Sequence, residues 1–130
     1  MSRVTVGDIE RSLARAFPPE WAEEWDRGGL LVGDPNREVT GVMLALDPTR
    51  RVVVAAAERG CNVVVTHHPA FLKAPEWLTP GRGSSGVVFS AMDRGVALIN
   101  AHTNLDRAPA AGFLLASALG LEPLLSLIHI

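Results

Sequence analysis

The stretch CNVVVTHHP, Cys61 to Pro69, decides how the chain is read. Residues 61–66 form a short apolar run rich in β-branched valine, which suits a buried strand better than a helix. Two adjacent imidazoles follow at once, and then a proline that forces the residue before it into an extended conformation. A strand that ends in paired histidines is the seed from which the rest of the fold is built outward.

Two further runs have the same character. VTGVMLALD, residues 39–47, and VALINA, residues 96–101, are short, apolar and bounded by turn signals. Between the first two runs lies RRVVVAAAERG. Asp47 before Pro48 reads as an N-cap with proline at the first helical position, and Gly60 reads as the stop. Between the second and third runs, SGVVFSAMDRG reads as a helix capped by Ser84 or Ser85 and ended by Gly95. Val6, Ile9, Leu13 and Phe17 recur at helical spacing near the start, with Pro18-Pro19 as terminator. The segment after them is irregular, with Leu30-Leu31-Val32 as a short strand inside it. HTNLDRAP, after the third strand, reads as a loop, and AAGFLLASALG as a last helix ending at Gly120.

The order is therefore helix, strand, helix, strand, helix, strand, helix. Alternation of this kind predicts an α/β fold with a mainly parallel sheet, joined by right-handed crossovers and covered on both faces. The stretch HHPAFLKAPEWLTPGRGSS is too long and too rich in proline and glycine to be a passive connection. No internal repeat or linker interrupts the sequence.

The chemistry gathers at strand ends. The first strand ends at Asp47, the second at His67-His68, and the third runs into His102-Thr103-Asn104-Leu105-Asp106. Open α/β sheets bind ligands just beyond the carboxyl ends of their strands. His67, His68 and Asp106 are thus candidate metal ligands, for one ion or two. Imidazole with carboxylate suits zinc, iron, manganese or nickel. His102 is a ligand or a donor that orients a carboxylate, and Thr103 and Asn104 hydrogen-bond the loop or a substrate. Asp47 has a sufficient role as a helix cap, with a supporting role at the cleft rim as the other reading. Asp26, Gly29 and Gly33 read as turn chemistry.

Composition narrows the field. Twelve basic and 14 acidic residues give a formal charge of −2 and are well mixed, so no basic stripe supports nucleic-acid binding. One cysteine allows no internal disulfide, which fits a reducing compartment. The charged, amphipathic start lacks the apolar stretch of a signal peptide, and no run is long enough to span a membrane. The expectation is a soluble cytoplasmic protein.

Four stretches together resemble a known family: WDRGGLLVG (25–33), VMLALDPT (42–49), VVVTHHPAFLK (63–73) and INAHTNLD (99–106). They resemble the Nif-three-like dinuclear metal centre hexameric proteins, many of which go by the name GTP cyclohydrolase I type 2 homologue. The resemblance implies a Nif-three-like α/β fold, a toroidal hexamer and two divalent metal ions, with His67, His68 and Asp106 as ligands. In that family a later His and Glu, on a motif of the form H-x-x-x-E, complete the two-metal site. That motif is absent here, so residues 1–124 correspond to the N-terminal half of such a domain, truncated at the C-terminus. The ending LSLIHI, residues 125–130, is what the transposase-adapter sequence CTGTCTCTTATACACATC encodes, and it reads as a non-native tail.

The leading functional expectation is a metal-dependent hydrolase acting on a small polar molecule such as a nucleotide. The alternative is a metal-binding adaptor or regulatory protein without turnover. The purine substrate comes from the resemblance alone, because the sequence holds neither a P-loop nor a dinucleotide-binding glycine fingerprint.

Overall fold

The computed structural model describes residues 3–122. The proposed adapter tail lies outside them, as does residue 124, the last of the domain as bounded from sequence. Helix α1 spans Val6–Ala16, a short 3-10 turn spans Pro19–Trp21, and strand β1 spans Gly29–Val32. Then come β2 (Val42–Ala45), α2 (Arg50–Glu58), β3 (Val63–Thr66), α3 (Gly83–Arg94), β4 (Ala97–Asn100), α4 (Thr103–Asp106) and α5 (Ala111–Ala118).

The four strands form one sheet in the order β1-β4-β3-β2. β2, β3 and β4 are parallel, and β1 runs antiparallel to β4 along one edge. The sheet is therefore mixed, with the parallel core that alternation predicted. Val53, Ala56, Val64, Val88, Ala91 and Leu98 make the main core between the sheet and the α2–α3 layer. Val6, Val63, Ala97 and Ile99 make a second cluster on the opposite face, with Ile9 and Leu13 of α1 packed against it.

α1 starts as its sequence requires. Thr5 accepts a bond from the Asp8 N–H at 3.3 Å, and the Asp8 carboxylate accepts one from the Thr5 N–H at 2.8 Å. This reciprocal box satisfies two donors that the first turn would leave free. The helix then yields to the two prolines.

Two glycines in the 25–33 motif have identifiable jobs. Gly29 has φ +82°, and a Cβ there would lie 2.8 Å from Oε1 of Glu10. That same oxygen accepts the Leu30 N–H at 2.8 Å, tying α1 to β1. Gly33 has φ +122°, and a Cβ there would lie 2.7 Å from the Cβ of Ala97 on the adjacent strand. Both positions have a left-handed backbone that strains any side chain, and at Gly33 the neighbour is a strand residue that cannot swing aside, whereas the Glu10 side chain beside Gly29 can.

Several local expectations are corrected. α2 begins later than the Asp-Pro pair suggested, and Thr49 is its N-cap, accepting the Val52 N–H at 3.2 Å. Asp47 is freed from capping and turns elsewhere. α3 starts at Gly83 with Arg82 in the cap position and no side-chain cap. Ser85 instead braces the preceding loop, accepting from the Thr79 N–H and donating to the Trp77 carbonyl. Part of HTNLDRAP is helical, because α4 forms inside it. The sheet is also not covered throughout: Val42, Leu44 and Leu46 of the β2 edge are exposed, as are Phe113, Leu114 and Leu115 of α5.

Candidate metal centre

Strand register assembles the site. Ala45 pairs with Thr66, and Thr66 pairs with Asn100, so the three parallel strands end level. Two residues past that row stand Asp47, His68 and His102. His67 is one residue past it, and Asp106 returns to the same rim at the end of α4. Three segments distant in sequence thus deliver their polar side chains to one edge.

In a regular strand His67 and His68 would face opposite ways. Here the strand has ended and the chain turns, with the Thr66 hydroxyl donating to the His68 carbonyl at 2.6 Å. The two rings lie 5.1 Å apart between centroids, and His102 stands 5.0 Å from His67 and 5.6 Å from His68. One ring nitrogen from each of the three lies within 4.8 Å of the others. Trp25 closes one side, edge-on to His102 at 6.1 Å.

Each imidazole is anchored through Nδ1 to an oxygen that can only accept. His67 Nδ1 meets the Ala101 carbonyl at 3.0 Å, His68 Nδ1 meets Asp47 Oδ1 at 2.6 Å, and His102 Nδ1 meets Asp26 Oδ1 at 3.0 Å. An acceptor at Nδ1 fixes a proton there and leaves the lone pair on Nε2. In each ring Nε2 is therefore the nitrogen left to meet a cation, and in His67 that nitrogen faces a carboxylate. Asp106 adds a carboxylate, its Oδ1 3.3 Å from His67 Nε2.

These residues fit a divalent cation by their chemistry. Neutral imidazoles with Nδ1 anchored to carbonyl or carboxylate are the usual form of a metal-ligating histidine. One ring nitrogen from each is close enough to the others for a metal ion to be held among them.

Asp26 does more than the turn chemistry its sequence context suggests. Its side chain is 1% exposed. Oδ1 accepts from the Arg27 N–H and His102 Nδ1, while Oδ2 accepts from both the N–H and the hydroxyl of Thr103. Burial pushes this carboxyl up, but the four bonds outweigh it and hold the group at about 2. Nothing in its own neighbourhood announces this role, because His102 and Thr103 are 76 and 77 residues away.

Thr103 and Asn104 serve the scaffold. Besides bonding Asp26, the Thr103 hydroxyl accepts the Glu23 N–H at 3.0 Å. Asn104 donates to the Phe17 carbonyl at 2.8 Å and accepts the His102 N–H at 2.9 Å. Arg107 bonds the Trp21 carbonyl and pairs with Glu23. Together these bonds clamp α4 to the segment after α1, which is what brings Asp26 to His102.

Fold and site together define a mixed α/β protein with a histidine cluster at the carboxyl ends of its parallel strands. The sequence profile of Duf34/NIF3 (NGG1p interacting factor 3) matches residues 4–128, and the chain belongs to that family. It is 39% identical over 118 residues to a Staphylococcus aureus (strain COL) protein named GTP cyclohydrolase 1 type 2 homolog, covering 90% of this chain and 32% of that one. It superposes on the crystal structure of Staphylococcus aureus protein SA1388 with a TM-score of 0.87 at 37% identity, over 92% of this chain and 34% of that one. A Bacillus cereus protein related to NIF3 gives a TM-score of 0.84 at 31% identity, over 94% and 34%. The chain therefore spans about a third of the length of these relatives.

Among the described residues no helix is long and apolar enough to cross a membrane.

Proposed function

We propose that this chain supplies the His67, His68, Asp106 and His102 side of a divalent-metal centre in a metal-dependent hydrolase. The carrying observation is the convergence of three imidazoles, one ring nitrogen of each within 4.8 Å of the others, whose Nδ1 atoms are all anchored to oxygens while Nε2 of His67 faces the Asp106 carboxylate. The two-ion form, the hydrolytic reaction and a nucleotide-like substrate rest on the family and on the name GTP cyclohydrolase 1 type 2 homolog carried by its relatives. The hexamer rests on the family resemblance as well, and a cytoplasmic location on the single cysteine.

A bound divalent cation would supply Lewis acidity, polarising a carbonyl or phosphoryl oxygen and acidifying water. The chain's own residues do the holding. His67 and His68 present adjacent nitrogens from the end of β3. Asp106 adds negative charge beside His67. Asp47 and Asp26 would keep the protons of His68 and His102 on Nδ1. Trp25 stands edge-on beside His102.

The test is a Zn2+ and Mn2+ titration of the metal-free chain by calorimetry, with turnover assays on GTP and simple phosphoesters using a longer family member aligned at these positions. The reading expects tight binding that falls at least tenfold in His67→Ala and in Asp106→Ala, with the metal-free fold retained, and turnover abolished by the change equivalent to His68→Ala. Metal binding without turnover on any of these substrates would instead favour an adaptor role. Binding unaffected by both variants would end the proposal.

A further inference from the structure

The three histidine anchors are not equivalent. The Ala101 carbonyl is backbone and cannot be reoriented by a side-chain rotation. Asp47 is 55% exposed, and its carboxylate meets His68 at the surface. Asp26 is buried, and its orientation is over-determined. Oδ2 is claimed by two donors of Thr103, which leaves Oδ1 aimed at His102 and braced there by the Arg27 N–H. Rotating the carboxylate would break bonds at both oxygens.

We propose that Asp26 is a positioning residue whose role is to fix the proton of His102 on Nδ1, so that the Nε2 lone pair of His102 faces His67 and His68. This rests on the metal-centre reading above, which makes His102 a ligand. Its physical content can be tested without any metal.

A carboxylate can do what an amide of the same shape cannot. Ionised aspartate accepts at both oxygens and donates nowhere. Each oxygen of Asp26 meets two donors, but the Thr103 hydroxyl already accepts the Glu23 N–H and keeps its own proton for Asp26, whereas an imidazole can move its proton to the other nitrogen. In Asp26→Asn the carbonyl oxygen therefore goes to the Thr103 side, and the Arg27 N–H loses its acceptor. The amide NH2 then faces His102 Nδ1. A donor there needs a lone pair on Nδ1, and the imidazole proton moves to Nε2. The substitution therefore inverts the tautomer while changing side-chain volume very little. It turns an N–H toward the position where the other two rings present lone pairs. A residue that merely fastened α4 to the segment before β1 would have no such effect on the ring.

The experiment is long-range proton–nitrogen NMR of the histidine rings in the metal-free chain at neutral pH, for wild type and Asp26→Asn. It is paired with calorimetric Zn2+ titration of both. The expected result is the Nδ1–H form of His102 in wild type and the Nε2–H form in the variant. Zn2+ affinity in the variant should be roughly 10- to 100-fold weaker, the usual range when such a supporting contact is lost. A folded variant that keeps the wild-type tautomer and affinity would overturn the proposal. So would an Nε2–H form of His102 in wild type, which decides the matter even if the variant does not fold. Should wild type bind no Zn2+ while the tautomer still inverts, the metal-centre reading fails and the positioning role stands. Should wild type bind Zn2+ and the tautomer not move, the reverse holds.

Discussion

Asp26 and Asp47 make the same chemical contact, a carboxylate oxygen on a histidine Nδ1, in opposite surroundings. Replacing each by alanine should separate burial from pairing. Asp26→Ala strips four hydrogen bonds from a side chain that is 1% exposed: those of the Arg27 N–H, the Thr103 N–H and hydroxyl, and His102 Nδ1. At about 1 kcal/mol net for each bond, with water recovering some of the loss, the cost comes to about 3 kcal/mol. Asp47→Ala removes one bond from a carboxylate that is 55% exposed, and should cost under about 1 kcal/mol. Urea denaturation of the metal-free chain at pH 7 measures both, as shifts in midpoint at unchanged slope. The buried difference should also depend on pH. The Asp26 carboxyl sits at about 2 when folded, below its ordinary 3.8. Its stabilisation is therefore complete above about pH 4 and is lost as pH falls from about 4 to about 2, an amount of about 2 kcal/mol. Asp8, held at about 2 by Thr5 and Arg11, titrates in the same window in both proteins and cancels in the difference. Equal costs for the two alanine variants, or a gap between wild type and Asp26→Ala that does not change between pH 5 and pH 2, would refute the reasoning.

Gly33→Ala should destabilise by about 3 kcal/mol, combining left-handed strain with overpacking against Ala97. Gly60→Ala, at φ +73° with nothing within 4 Å, should cost only about 1 kcal/mol, and thermal melts of the two compare them directly. The exposed Leu44 of β2 and Leu114 and Leu115 of α5 should make the isolated chain self-associate. Sedimentation velocity should show that Leu44→Lys with Leu114→Glu reduces this, and a monodisperse monomer before substitution would contradict it.

Much of the architecture was legible because its signals are local. The valine run of β3 and the terminating Gly95 act within a few residues of themselves, and alternation then implied the parallel core. The antiparallel placement of β1 was not legible, since Leu30-Leu31-Val32 says nothing of its partner. Asp47 misled for a physical reason: Asp-Pro is a good helix start, yet Thr49 lay two residues on and capped better once His68 took the carboxylate. His67 and His68 stood out by adjacency, and Asp106 and His102 by lying past another strand. Asp26 stayed hidden because its partners arrive only when α4 is clamped to the segment after α1. The Ala101 carbonyl anchoring His67 is backbone, and no residue type signals it.

The central claim is that the Nε2 atoms of His67, His68 and His102 converge on a cation. Anomalous diffraction at the zinc edge, from crystals of the chain grown with Zn2+, locates such an ion directly. The account predicts a peak about 2.0–2.1 Å from Nε2 of His67 or His68, with Asp106 and His102 beside it and every Nδ1 still on its oxygen. A peak elsewhere on the surface with these rings apart, or zinc held through Nδ1, would contradict it.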